Sequence, residues 1–413
     1  MTLLGQGSNS LQLRHYNERV VLDAIRRLGE ASKADVARHA RLTPPAVSDI
    51  LGALLEAGYV EPRGQRRGGK GQPSTLYGLN PRGGYSIGLH IGRRSLDGIL
   101  MGFAGEVIAY ESRDHDFPEP RAVALAGDRI VQGFRDRLGP EARRLVGLGI
   151  SAPYFLGGWE SELGFPREVS EAWRDVDLDR LFEASARLPV FVENDASAAA
   201  AAELVFGAGQ RLRDFVHLTI GTIIGGGLIL DSVLQTGPNG NAAAYGPMPV
   251  TPSRLSSVPP PTGPFEVLLR RASIYGLLNH LRAAGVHLRR VRELDPMAAA
   301  AAQPFAEWRE DCADALAQAL VATVSVVDVE AVVIDGLLPE PLMGSVVAAV
   351  EARFLEIVPQ GVVIPAILPG SVGPRASAMG AAILPIYLQF APDSSVLTRR
   401  AVEKKPLMIR QVG

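Results

Sequence analysis

Three stretches of the chain concentrate residues that could do chemistry. Gly221-Thr222-Ile223-Ile224-Gly225-Gly226-Gly227 has the glycine content of a turn whose backbone approaches a phosphate closely. Its third position holds Ile223, whose branched Cβ resists positive φ and would crowd that phosphate. Glu193-Asn194-Asp195-Ala196 offers adjacent polar side chains able to hydrogen-bond a ligand. The same Asn194-Asp195 pair would serve as a cap for a helix over 196–204, and both roles can coexist. The run 63–73 sets Arg63, Arg66, Arg67 and Lys70 on a glycine-rich tip suited to a nucleic-acid backbone or minor groove. The plain alternative is a solvated hairpin.

Each stretch needs elements to hold it. Val20, Val21, Ala24, Ile25 and Leu28 recur at helical spacing and predict an amphipathic helix that stops at Gly29. Ser32 reads as the N-cap of a short helix over 33–39, followed by a tight turn at Arg41-Leu42. Thr43 is placed to cap a third helix, with Pro44 where its missing N–H costs nothing. That helix would bury Val47, Ile50, Leu51 and Leu54 and end near Gly58. Two short helices joined in this way form a helix-turn-helix, the second lying in the major groove of double-stranded DNA. Thr43, Pro45, Ala46, Ser48 and Asp49 would then face the DNA, with Ser48 or Thr43 bonding phosphate or base. Strands at 59–61 and 76–79 would flank the basic loop as a wing. From Arg14 to Arg82 there are 12 Lys/Arg against 7 Asp/Glu, so this end carries +5 and the remainder −7 of a net −2. A basic end on an acidic body fits a phosphate-binding module, although uneven surface charge alone would look the same.

After Asn80-Pro81-Arg82-Gly83-Gly84 the texture changes. Strands are predicted at 85–91, 97–103, 106–110, 145–150, 190–192 and 215–219, with helices at 121–138 and after Asp195. Strands and helices alternate again from Val332, so the body is α/β, with two lobes. The single cysteine, Cys312, excludes an internal disulfide and any zinc site built from several cysteines. His217 and the other histidines show no metal spacing and read as structural. With 47% hydrophobic and 21% charged residues, no membrane-length apolar run and no leader-like start, the expected location is cytoplasmic, away from membranes.

From about Leu13 to Leu388 the chain resembles the ROK family of repressors, open reading frames and kinases, on signatures standing in order. These are Gly149-Ile150-Ser151-Ala152-Pro153, Glu193-Asn194-Asp195-Ala196, Gly221-Thr222, Gly225-Gly226-Gly227 and Met379-Gly380-Ala381-Ala382. The resemblance implies an N-terminal winged helix-turn-helix over 11–82 and a two-lobed actin/hexokinase-like (ribonuclease H-like) body over 83–390, followed by a tail over 391–413. It also implies that the residue matching Asp195 is, in kinase members, the base that takes a proton from a sugar hydroxyl. Several positions depart from the kinase pattern. His90-Ile91-Gly92-Arg93-Arg94 stands where kinases carry Asp-x-Gly-x-Thr, so the magnesium-organising carboxylate is missing, though two arginines could attract an anion. Ile223 replaces a phosphate-turn glycine, and Ile334-Asp335-Gly336-Leu337 stands where glycines cluster at the adenosine. Ala244 and Pro247 replace a sugar-contacting Glu and a sugar- and zinc-binding His. The proline-rich 258–264 replaces the zinc cysteines. Glu266 resembles the last sugar-contacting glutamate, or is an exposed acid at a helix start.

These readings combine into a regulator, a repressor of carbohydrate genes that binds operator DNA as a homodimer or homotetramer. It would sense a sugar or sugar derivative through Asn194, Asp195 and Glu266, with no catalysis, cofactor or metal. The alternatives are an active ATP-dependent sugar kinase carrying a DNA module, and a DNA-binding protein whose body is a ligand-free oligomerisation scaffold.

Overall fold

A computed structural model of the chain describes residues 10–66, 73–158, 164, 166–295 and 298–392. The first helix, α1 (Ser10–Leu28), is followed by a two-residue strand β1 (Ala31–Ser32), α2 (Lys33–Ala40) and α3 (Pro44–Glu56). Ser32 caps α2 in a reciprocal box: its Oγ accepts from Asp35 N at 3.2 Å, and its own N–H donates to Asp35 Oδ2 at 3.1 Å. Arg41 closes α2 in the left-handed region at φ 54°, which turns the chain into α3. Thr43 occupies the N-cap position of α3, but its side chain makes no capping bond. Val47, Ile50, Leu51 and Leu54 are buried, as their spacing predicts.

Strands β2 (Val60–Arg66) and β3 (Ser74–Leu79) form the hairpin that follows, in sheet order β1-β3-β2. β2 runs further than 59–61. A register shift between Pro62 and Gly64, with Gly64 at φ 132°, carries the pairing on to Arg66 opposite Ser74. Part of the basic run is therefore strand and not loop.

The body repeats one plan twice. Its first sheet contains β4 (Tyr85–Ile91), β5 (Ser95–Gly102), β6 (Val107–Asp114), β7 (Leu145–Ala152) and β8 (Val190–Asn194), in order β6-β5-β4-β7-β8. The first three are antiparallel neighbours, and β4, β7 and β8 are parallel. Helices α4 (Pro120–Leu138), α5 (Arg167–Ala172) and α6 (Leu178–Ala186) lie between β6 and β8 along the chain. Helix α7 (Asp195–Phe206) leads to the second lobe, whose sheet holds β9 (Phe215–Ile220), β10 (Ile224–Leu230) and β11 (Val233–Gln235). After the short pair β12 (Pro249–Val250) and β13 (Glu266–Val267) come α8 (Leu268–Arg271), α9 (Ile274–Ala283) and α10 (Ala299–Val324). Strand β14 (Ala331–Gly336), α11 (Glu340–Ile357), β15 (Ala366–Pro369) and α12 (Ala376–Phe390) complete it. The order β11-β10-β9-β14-β15 again sets three antiparallel strands beside two parallel ones.

Small residues let α7 and α12 cross tightly between the sheets. A Cβ on Gly380 would strike the backbone of Ala198, one on Gly149 the carbonyl of Ala381, and one on Gly88 the backbone of Ala382. The N-terminal helices do not stand apart from this body. Tyr59, Phe103 and Phe390 stack with ring centroids 5.0–5.1 Å apart, and one buried apolar cluster runs from Val21 and Leu51 through Phe103 to Ile386. Among the described residues no helix is long and apolar enough to cross a membrane.

Candidate functional site

A cleft between the two lobes holds two of the body's predicted site residues, Asn194 and Asp195. Its inner pocket, of about 240 Å³, is lined by His90, Arg93, Asn194, Asp195, Thr219 and Ile223 among others. It adjoins a larger cavity of about 830 Å³, and the two share His90, Arg94, Asp97, Thr222 and Leu337.

The β4–β5 hairpin supplies one wall. His90 Nδ1 sits 3.2 Å from Ser151 Oγ, and Ser151 in turn donates to Ser377 O at 2.9 Å, so the imidazole is held against β7. Directly across the ladder from His90 is Asp97, a carboxylate that the motif pattern does not reveal. It accepts from Ser95 Oγ at 2.7 Å and Tyr110 OH at 2.9 Å. Arg93 is buried, with Nη2 donating to Phe155 O at 3.0 Å and Nε without a partner among the described residues. Burial pushes the Arg93 pKa down to about 10, and the charge of Asp195 works in the opposite direction. The sequence suggests an anion-attracting arginine; the fold sets that charge against the carboxylate from α7.

Asn194 and Asp195 stand together at the N-terminus of α7. Asn194 Oδ1 accepts from Ala196 N at 3.0 Å and Ser197 N at 3.2 Å, which is the capping role. Asp195 Oδ1 accepts from Ala196 N at 2.9 Å, and both residues still line the pocket. Cap and cleft wall coincide. The glycine run has a second explanation as well. A Cβ on Gly225 would meet Ala196 Cβ at 2.6 Å and one on Gly227 would strike Ala200, so these glycines let β10 lie against α7. Ile223 does not adopt positive φ, and it lines the pocket floor.

Ala244 and Pro247 also line the pocket, beside Tyr245, whose OH donates to Thr323 Oγ1 at 3.0 Å. Glu266 corrects both readings made of it. It is 2% exposed on β13, paired with Val250, and belongs to the lining of neither cavity. Its Oε1 accepts from Val267 N at 2.8 Å and its Oε2 has no partner among the described residues. The β12–β13 pairing draws it into the lobe.

The larger cavity is rich in charge. Arg290 and Arg292 from the second lobe reach Asp114 of the first at 3.9 and 2.8 Å, and Arg290 Nη2 also donates to His115 O at 3.3 Å. Sequence spacing could not pair these groups, because they meet only when the lobes face each other.

At the N-terminal end of α3, Thr43, Pro45 and Asp49 are exposed and Ala46 is half-buried. Ser48 is half-buried too, and its Oγ accepts from Lys33 Nζ at 2.8 Å. Arg66 Nη1 pairs with Asp35 Oδ2 at 2.9 Å while over half its side chain stays exposed. Arg63 folds back along β3, donating to Leu79 O at 2.9 Å and lying 3.1 Å from Glu61 Oε1. Arg67 and Lys70 lie outside the described residues.

The ROK family model matches residues 86–387. The chain is 28% identical over 377 residues to the uncharacterized protein y4fQ of Sinorhizobium fredii, covering 91% of each. It is 26% identical over 238 residues to a xylose repressor of Bacillus spizizenii, covering 58% of this chain and 61% of that one. Over 173 residues it is 32% identical to a glucokinase of Streptomyces coelicolor, covering 42% of this chain and 52% of that one. The crystal structure of a ROK family transcriptional regulator, a homologue of the E. coli MLC protein, has the same fold. The TM-score is 0.66 at 18% identity, over 92% of this chain and 98% of that one. Regulators and sugar kinases thus both stand among the relatives. Since the match runs from β4 into α12 and takes in both mixed sheets of an actin- and hexokinase-like plan, the chain belongs to the ROK family.

Proposed function

We propose that this chain is a DNA-binding transcription regulator, a repressor of carbohydrate genes. Its body binds a sugar or sugar derivative without phosphorylating it. The observation that carries the reading is His90. It stands where a magnesium-organising carboxylate would be needed, and its ring nitrogen is already engaged by Ser151 at 3.2 Å. Ile223 in the phosphate turn and Leu337 on the adenosine side support it. A cleft that keeps Asn194 and Asp195 but fills the phosphate positions is suited to holding hydroxyls, not to transferring phosphate.

In this reading residues 11–82 form a winged helix-turn-helix and 83–390 the sensing body, with two copies reading an operator. α3 enters the major groove with Thr43, Pro45 and Asp49 foremost. Arg66, together with Arg67 and Lys70, meets the backbone. Ligand acts by favouring one arrangement of the lobes over another. Fluorescence anisotropy on genomic fragments, repeated with a sugar panel, tests this. The expected result is salt-dependent operator binding that one sugar shifts, with that response lost in Asp195→Ala. Sequence-indifferent DNA binding, or none, would remove the reading.

A kinase reading draws on two observations: Asp97 lies across the ladder from His90, and a cavity of about 830 Å³ adjoins the pocket that Asp195 lines. Incubation with ATP, magnesium and the same panel decides between them. No phosphorylated sugar above background is expected; turnover abolished by Asp195→Asn would install the kinase instead.

A further inference from the structure

Glu203, His217 and Asp335 come together behind the cleft: none of them lines the inner pocket, and Asp335 alone lines the larger cavity. They lie on the C-terminal half of α7, the middle of β9 and the end of β14. β9 and β14 are parallel neighbours with His217 opposite Val333, so Asp335, two residues on, faces the same side of the sheet. All three residues are buried, at 0%, 0% and 4% exposure. One oxygen or nitrogen atom from each lies within 4.8 Å of the others. Three atoms so spaced are at most about 2.8 Å from a common centre, so a contraction of under about 1 Å brings all three to metal-ligand distance.

The surroundings orient these groups as ligands. Ser371 Oγ (2.9 Å), Ser371 N (3.2 Å) and Ala208 N (3.0 Å) donate to Glu203 Oε1, and Val372 N donates to Oε2 at 3.2 Å. Asp335 Oδ1 accepts from Gly336 N and Oδ2 from Gly373 N, each at 2.8 Å. These donors fix the direction of each carboxylate. No arginine or lysine among the described residues pairs with either acid. His217 Nδ1 lies 3.4 Å from Thr219 Oγ1, while its Nε2 is buried with no partner among the described residues. Two carboxylates and a buried imidazole with an unpartnered nitrogen thus meet in one place with no cationic side chain among the described residues to balance them.

We infer that Glu203, His217 and Asp335 form a site for one divalent first-row transition ion of the zinc class. One imidazole nitrogen with two carboxylates suits such an ion better than magnesium or calcium, which favour oxygen donors alone. Ser371 and Gly373 donate to these acids and also line the larger cavity, so the ion braces that cavity's floor. The site is independent of the sugar-sensing reading and lies apart from Pro247 and 258–264, which stand where the family resemblance would place zinc ligands that this chain lacks.

The test uses the full chain stripped with chelator and titrated with Co²⁺ alone. The expected result is one Co²⁺ per chain with visible d–d absorption of a low-coordinate nitrogen–oxygen site, displaced by Zn²⁺ and not by Mg²⁺. Because the loss of an outer-shell partner alone weakens metal sites by about 10–100-fold, His217→Ala should weaken binding by about 100-fold or more. Asp335→Asn, which keeps size and shape, serves as the second variant and should also weaken it. Circular dichroism checks that both variants fold. A wild-type chain that takes up no stoichiometric Co²⁺ would overturn the inference, leaving a hydrogen-bonded cluster. Uptake with an oxygen-only spectrum, or uptake that both variants retain in full, would overturn it equally.

Discussion

Replacing Arg93 with methionine should make the protein more stable and its cleft worse at binding. The guanidinium is almost fully buried, and its pKa falls well below the ordinary guanidinium range, to about 10, even with Asp195 pulling it up. Below about pH 10 the guanidinium is charged in the folded and the unfolded chain alike, and the depressed folded pKa means that this charge costs more in the fold, so the whole cost is present at pH 7. That shift corresponds to about 3 kcal/mol. Methionine removes the charge but keeps most of the length. It forfeits the bond from Nη2 to Phe155 O, which contributes about 1 kcal/mol. The net gain of about 2 kcal/mol, set against an unfolding entropy of about 0.9 kcal/mol/K for a chain of this size, raises Tm by about 2 °C. Ligand binding should move the other way. Loss of a charged hydrogen bond to a hydroxyl costs about 1.5–3 kcal/mol, or about 10- to 100-fold in Kd. Scanning calorimetry and titration calorimetry with the sugar that best shifts DNA binding measure both quantities on one preparation. A Tm that falls by more than about 2 °C with unchanged affinity would refute the reasoning and make Arg93 a structural pair for Asp195.

Three further outcomes are expected. Arg66→Ala combined with Arg67→Ala should weaken binding to all DNA sequences and lower the slope of log K against log salt by about 1–2; an unchanged slope removes the hairpin from the DNA contact. Phe390→Ala deletes two of three ring contacts, each contributing about 0.5–1.5 kcal/mol, and should separate calorimetric unfolding into two transitions while operator binding persists; a single transition at the wild-type Tm speaks against the coupling. Burial pushes the His115 pKa below its ordinary 6.5, and Arg290 and Arg94 push it the same way, while Gly92 O at 2.9 Å and Asp97 oppose them. The unfolded chain therefore takes up its proton first, so stability present above pH 6.5 is lost as pH falls, and His115→Asn should flatten that acid limb in Tm.

What the sequence reveals and what it hides divides by distance along the chain. Ser32 with Asp35, Pro44 at a helix start and Val47, Ile50, Leu51 and Leu54 are local signals, and each lies where its spacing puts it. The strand at 59–61 was too short because Gly64, which reads as a loop residue, instead permits a bulge that extends the pairing. Glu266 reads as a ligand contact or a solvent-facing acid because nothing nearby in the sequence announces the pairing with Val250 that buries it. The glycines at 225 and 227 read as phosphate contacts, yet they also answer to Ala196 and Ala200 on a helix that precedes them. Asp97 opposite His90, and Asp114 facing Arg292 across the lobes, carry no motif at all.

The stacked rings of Tyr59, Phe103 and Phe390 bear on how freely the front of this chain could be exchanged. A graft of the first 82 residues onto another body would carry Tyr59 along and leave its two ring partners behind, one just past the end of β5 and one at the last residue of α12. Since α12 also packs along α7 and the first sheet, those partners are its link to the ligand cleft. If the proposed function holds, such a chimera recognises its operator and ignores the new host's ligand. Carrying Phe103 and Phe390 across with the module should restore the response, which makes the trio, not residue 82, the practical seam for building hybrid regulators.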